Sequence, residues 1–122
     1  MIDQKILSQF TGTEQWHRYN VLMPNALLTD GALYIAQAGG AFWLMDIIGS
    51  AQLDKKVQNE PFQVWTLKVD QDNSNALVTC EDGNGGEVYR QNIPFTDFEL
   101  PEIELWASRE DGNLIILLPS EY

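Results

Sequence analysis

From Thr29 to Leu53 the apolar residues recur with a helical period, and from Phe62 onward they alternate with a period of two. In the first stretch Thr29 or Asp30 can accept a bond from the open backbone donors of a first helical turn, so a helix is expected from there to about Ala38. Gly39-Gly40 costs ~1 kcal/mol per residue inside a helix, which predicts a break. A second helix is expected from Ala41 to about Leu53, with Trp43, Ile47 and Ala51 at i, i+4 and i+8 and Leu44 and Ile48 beside them. Ahead of this pair, Ile2 to Phe10 reads as a short helix stopped at Thr11-Gly12-Thr13. Glu14 to Tyr19 reads as a short turn, and Val21 to Met23 as an extended piece halted by Pro24.

The alternating half predicts five strands. Phe62–Asp70 sets Trp65, Leu67 and Val69 on one face, and the turn-forming DQDNSN cluster (Asp70–Asn75) leads into Ala76–Asp82. The Gly-rich EDGNGG loop (Glu81–Gly86) turns the chain into Glu87–Ile93. Pro94 to Pro101 is irregular, Glu102–Ser108 follows, and Asp111-Gly112 forms a hairpin turn into Asn113–Leu118, whose unbroken apolar run suits a central strand. Helices followed by hairpin-linked strands predict an α+β fold: N-terminal helices packed on one face of a mostly antiparallel, about five-stranded meander sheet. The expected organisation is one domain over 1–122, helical over about 1–56 and sheet over about 61–119. A single helical cover leaves Val64, Thr66, Leu77, Trp106, Ile115 and Leu117 on the opposite face, an apolar patch of the kind that marks interfaces. A homodimer through this outer face is one expectation, and a repacking of loop 94–101 or the N-terminal segment over it is the other.

Composition narrows the partners. Seven basic and 18 acidic residues give a net charge of −11. Residues 1–60 hold six acids and four bases, whereas 61–122 hold twelve and three, so the second half carries nearly all the excess. That pattern disfavours direct nucleic-acid or membrane binding and favours solubility or a basic protein partner. A single cysteine, Cys80, excludes an internal disulfide, and with no signal peptide at the start the expected location is the cytoplasm.

Candidate chemistry is sparse. One His and one Cys do not make a transition-metal site, and Asp70-Gln71-Asp72 lacks the glutamate that completes a calcium loop, so neither metal nor cofactor is expected. Cys80 shares a strand face with Ala76 and Val78, as a small hydrophobe would, and His17 sits in a polar turn; a Cys80–His17 pair stays open because their distance is not readable. The Gly83–Gly86 loop follows a strand but opens no helix, and its flanking acids repel phosphate, so it is a hairpin rather than a nucleotide cradle. Asp46, set among Phe42, Trp43, Gly49 and Ser50 on a helical wheel, is the one carboxylate with an aromatic setting. With Trp43, Asp30 and Tyr34 it outlines a candidate small-ligand or hydrolase cleft.

Several fragments carry a resemblance: LSQFTGTEQW (Leu7–Trp16), LTDG (Leu28–Gly31), GAFWLMD (Gly40–Asp46), FQVW (Phe62–Trp65), TDF (Thr96–Phe98) and the terminal LLPSEY (Leu117–Tyr122). Over nearly its whole length the chain resembles a domain-of-unknown-function family of small bacterial proteins found on plasmids and phages as well as chromosomes. The resemblance implies an accessory or defence-related role and brings no assigned activity, cofactor or catalytic residue.

The leading expectation is a non-enzymatic protein-binding or accessory module, with no catalytic residue assigned. Two alternatives stand beside it. One is a small-ligand-binding protein or hydrolase using the cleft around Asp46. The other is a DNA mimic, in which the acids of 81–111 imitate phosphates to occupy a nucleic-acid-binding protein.

Overall fold

Strand-forming alternation in the second half yields five long ladders in the computed structural model, which describes residues 1–122. They are β3 (Phe62–Asp70), β4 (Asn75–Glu81), β5 (Glu87–Ile93), β6 (Glu102–Glu110) and β7 (Asn113–Leu117). Two shorter strands precede them, β1 (Trp16–Arg18) and β2 (Ala26–Thr29). The helices are α1 (Gln4–Leu7), α2 (Asp30–Ala38), α3 (Phe42–Ser50) and α4 (Lys55–Gln58), with 3-10 turns at Ala51–Leu53 and Pro119–Glu121. None of these helices is long and apolar enough to cross a membrane.

The sheet is therefore not a five-stranded antiparallel meander but a seven-stranded mixed one, in the order β1-β2-β7-β6-β3-β4-β5. Every pairing is antiparallel except β2 with β7, which is parallel. Two physical reasons separate this from the sequence expectation. Strands of three and four residues are too short for period-two alternation to register, so β1 was hidden in the expected turn Glu14–Tyr19. The β2–β7 pairing joins distant parts of the chain, which local periodicity does not encode. The meander also breaks between β5 and β6, because residues 94–101 carry the chain back to pair β6 against the free side of β3.

The hinge between the two main helices lies at Gly39-Gly40, where Gly39 ends α2 and Gly40 takes φ +60°, a conformation that suits glycine. Asp111 and Gly112 both have positive φ, as a two-residue turn between β6 and β7 requires. In α3 the buried stripe is Leu44, Met45 and Ile48, continued by Ala51, while Trp43 and Ile47 are only half-buried at its margin. An almost wholly apolar helix has no polar face to orient it, so its wheel does not locate the stripe. These residues join Ile35 and Ala36 of α2 against Trp65, Leu67, Val78, Leu105, Ala107 and Ile116 on the inner sheet face.

Two polar devices tie the layers together. The Glu121 carboxylate accepts from Thr29 Oγ1 at 2.6 Å, from the Gly31 amide at 2.9 Å and from the Leu118 amide at 2.9 Å. The end of the chain thus closes the N-terminus of α2, where a negative charge is favoured. Inside, Gln63 and Gln52 exchange reciprocal side-chain bonds of 2.8 and 2.9 Å. Gln63 also donates to the carbonyls of Val57 and Glu60 and accepts from Trp65 Nε1 at 3.0 Å. This fully bonded amide is completely buried and fastens the α3–α4 connection to the sheet.

Candidate functional site

Both segments that could have covered the outer sheet face go to the other side. Ile2 and Phe98 are buried against Gly39 at the end of α2, within reach of a β-carbon there, and Phe10 packs on Tyr34 with ring centroids 5.5 Å apart. Thr96 and Phe98, the buried residues of loop 94–101, therefore serve the helical layer. The face opposite the helices is covered only in part: the C-terminal turn lays Tyr122 on Phe62 and Trp106, Leu117 is buried, and Phe62, Val64, Trp106 and Ile115 are half-buried.

Strand register lays that face out in rows, because a residue and its direct cross-strand partner point to the same side. One row runs Arg18, Leu27, Ile115, Ser108, Phe62. The next runs Leu117, Trp106, Val64, Glu81. A third runs Glu104, Thr66, Thr79, Arg90, and a fourth Glu102, Lys68, Leu77, Asn92. The face is thus divided: two mainly apolar rows at one end, two polar and charged rows at the other. Of the six residues singled out from the sequence, Val64, Trp106, Ile115 and Leu117 fall in the apolar half. Thr66 and Leu77 fall among the charges.

Two aromatic residues that were not in the sequence-derived set complete the apolar half. Phe62, Trp106 and Tyr122 meet edge to face, with centroid separations of 5.2, 5.4 and 5.7 Å and an interplanar angle of 72° for each pair. Such contacts are favoured by the ring quadrupoles and are worth ~1 kcal/mol each beyond burial. Trp106 Nε1 donates to Glu104 Oε2 at 2.8 Å, which fixes the indole along its strand. Tyr122 is 80% exposed, and its amide bonds the Pro119 carbonyl in the same C-terminal turn that Glu121 anchors. Phe62 shares the parity of Val64 and was legible from alternation; Tyr122, beyond the last strand, belongs to no period.

The four residues of the expected cleft are dispersed. Asp46 is exposed on α3 and accepts from Asn20 Nδ2 at 3.2 Å. Its neighbour Tyr19 donates to the Met45 carbonyl, and that phenol is raised above its ordinary range by burial and then by the Asp46 charge. Trp43 lines a shallow recess with Gly40, Ile93, Phe95, Thr96 and Asp97 that contains no other member of the set. Tyr34 accepts the Asp3 amide through its hydroxyl and so holds the N-terminal segment. Asp30 opens α2, where its carboxylate meets His17 Nε2 at 2.8 Å and accepts the Glu14 amide at 3.0 Å. Those bonds, the histidine first, hold the Asp30 carboxyl below the usual range.

The His17–Asp30 pair is a contact that sequence reading missed, because a three-residue strand positions it. No hydroxyl or thiol hydrogen-bonds the imidazole. Cys80 lies five strand spacings away in the sheet order, roughly 24 Å, which ends any Cys80–His17 pair. Its thiol is pushed up to about 12 by burial, then by Glu60, Glu81 and Asp82, so it stays protonated. The acids of 81–111 are dispersed as well. Asp82 is bonded by the amides of its own hairpin loop, Glu87 pairs with Arg90 at 2.9 Å, and Glu99 accepts the Ile2 amide.

The model of a family of unknown function (DUF6876) matches residues 1–122, and the chain belongs to that family. No curated protein matches the sequence. Among solved structures, a protein of unknown function from Enterococcus faecalis is similar in fold, with a TM-score of 0.58 and 17% identity, over 88% of this chain and 98% of that one.

Proposed function

We propose that this chain is a non-enzymatic protein-binding module and that the apolar half of the outer face receives the partner. The observation that carries the reading is the Phe62–Trp106–Tyr122 cluster beside Val64 and Ile115, with Tyr122 80% exposed and the four strand residues left half-open. Aromatic side chains dominate binding energy at interfaces because they bury large, rigid surfaces at small entropic cost. Here the three rings brace one another and the indole is bonded to Glu104, so little side-chain freedom remains to be lost on binding.

Charge selects the kind of partner. Glu81 ends one apolar row, Glu104 borders the next, and Glu110 bonds Ser108 Oγ within the patch at 3.4 Å, with Arg18 the one base in these rows. A second copy would bring the same acids and another net charge of −11 to the contact. A protein with an apolar patch ringed by lysine or arginine meets this face without that repulsion and is steered toward it.

The test compares immobilised wild type with Trp106→Glu in the apolar half and Leu77→Glu in the polar half, each checked for native thermal unfolding. Wild type and Leu77→Glu are expected to retain the same basic protein from host lysate, in a salt-sensitive manner, and Trp106→Glu to lose it. Equal retention by wild type and both variants, or none by wild type, overturns the reading. A dimer mass in solution that Trp106→Glu abolishes would assign the face to self-association instead.

A further inference from the structure

A cleft of about 300 Å³ opens between the loop before β2, the end of α3 and the β6–β7 hairpin. It lies apart from the aromatic face. Its lining includes Arg109, Gln52, Asn25, Asn113, Leu22 and Met23, and no Asp or Glu, in a chain that has 18 of them. Glu110 and Asp111 belong to the same hairpin but not to the lining, in which Arg109 is the one charged residue.

Arg109 is held without being neutralised. Its Nη1 donates to Gln52 Oε1 at 2.9 Å, and Gln52 is itself clamped by the buried Gln63. The chain of bonds from Trp65 through Gln63 and Gln52 thus ends at the guanidinium. No carboxylate lies within ion-pair distance of it, since the three ion pairs of the structure are His17–Asp30, Lys68–Glu102 and Arg90–Glu87. The side-chain amides of Asn25 and Asn113 make no hydrogen bond within the protein. Met23 packs its sulfur against Gly49, where a β-carbon would come within 2.6 Å of it, and Leu22 stands 85% exposed at the rim.

We propose that this cleft binds an organic carboxylate carrying a small apolar group. The guanidinium edge left free by Gln52 matches a planar carboxylate in a two-bond fork, and the asparagine amides supply further donors. Leu22, Met23 and Leu114 supply the apolar wall. Because Arg109 is already oriented, the ordering cost that weakens most surface arginines is met at folding rather than at binding. The same chemistry occurs in a free small acid and in the C-terminal leucine of a peptide.

The test titrates the folded chain with N-acetyl-leucine and with a short peptide ending in leucine, its terminus either free or amidated, while side-chain and amide NMR shifts are followed. Binding with a Kd of about 1 mM or tighter is expected, with shifts at the Arg109 Nε–H and the Asn113 amide. Arg109→Gln should weaken it at least ~10-fold, and Arg109→Lys should weaken it too, because an ammonium cannot form the fork. Asn113→Ala gives a second variant remote from the Gln63 network. Tighter binding of the free peptide than of N-acetyl-leucine identifies a protein terminus as the natural form, and the converse a small acid. Absence of binding by both probes at about 10 mM, or equal affinity of the amidated peptide or of Arg109→Gln, overturns the proposal.

Discussion

Gly31 has no room for a β-carbon: one built there would lie 2.5 Å from Glu121 Oε1 and 2.6 Å from Leu118 Cδ1. Glycine at this position is therefore a matter of approach, since the carboxylate has to reach the Gly31 amide in the first turn of α2. Removing the carboxylate leaves Thr29 Oγ1 and the two amides without their shared acceptor. Hydrogen bonds to a charged acceptor are worth ~1.5–3 kcal/mol, so Glu121→Ala is expected to lower stability by about 2 kcal/mol. Gly31→Ala should cost about as much by pushing the carboxylate away. Measured by urea unfolding, the two losses should fail to add in the double variant, because both break one contact. Full additivity would mean that the two residues act separately. The LTDG and LLPSEY fragments meet at this closure, which gives both a structural account.

At the scale of elements, the buried amide of Gln63 joins β3 to the segment between α3 and α4. Its bonds replace those that the turn carbonyls of Val57 and Glu60 would otherwise make to water. Gln63→Leu keeps much of the volume but leaves the buried Trp65 Nε1 without an acceptor and removes one bond each from the Val57 and Glu60 carbonyls and two from Gln52. A loss of about 2–4 kcal/mol is expected, read as a shift in denaturant midpoint with unchanged slope. A loss under ~0.5 kcal/mol would show that water takes over these groups, and the network would then be incidental. The same variant should loosen Arg109, since Gln52 is its only anchor through a side chain.

For the whole molecule, acid is the informative variable. Asp30 is held below the usual carboxylate range by His17, Asp70 by Asn73, Asp82 by the Asn84 and Gly86 amides, and Glu87 by Arg90. A carboxyl whose folded pKa is depressed contributes stability above its unfolded value, near 4, and loses it as pH falls through the folded value. Opposing this, protonation relieves the self-repulsion of a net charge of −11. In ~0.15 M salt the Debye length is ~8 Å, so the dispersed repulsion is largely screened while the contact-range bonds are not. Stability is therefore expected to hold from neutrality to about pH 5 and to fall below about pH 4, as followed by chemical unfolding against pH. A rise in stability through pH 4 would show that repulsion dominates.

Local periodicity was sufficient for the five long strands and for the helix break at Gly39-Gly40, because alternation and glycine's conformational cost act within a few residues. It also separated the two faces of β3, β6 and β7, and so identified Val64, Trp106, Ile115 and Leu117. The rest depended on contacts between distant residues. The parallel seam of Ala26–Leu28 with Leu114–Ile116 made the sheet mixed and brought in β1 and β2. Cross-strand register divided the outer face into apolar and charged halves, and the C-terminal turn placed Tyr122 on Phe62 and Trp106. Only the assembled chain sets Arg109 in a cleft without carboxylates, since its lining comes from three separate stretches of sequence. Sequence by itself determined the five long strands and the two main helices; the tertiary structure decided the short strands, the buried stripe of α3 and which residues meet, because register and closure are energies of pairs far apart along the chain.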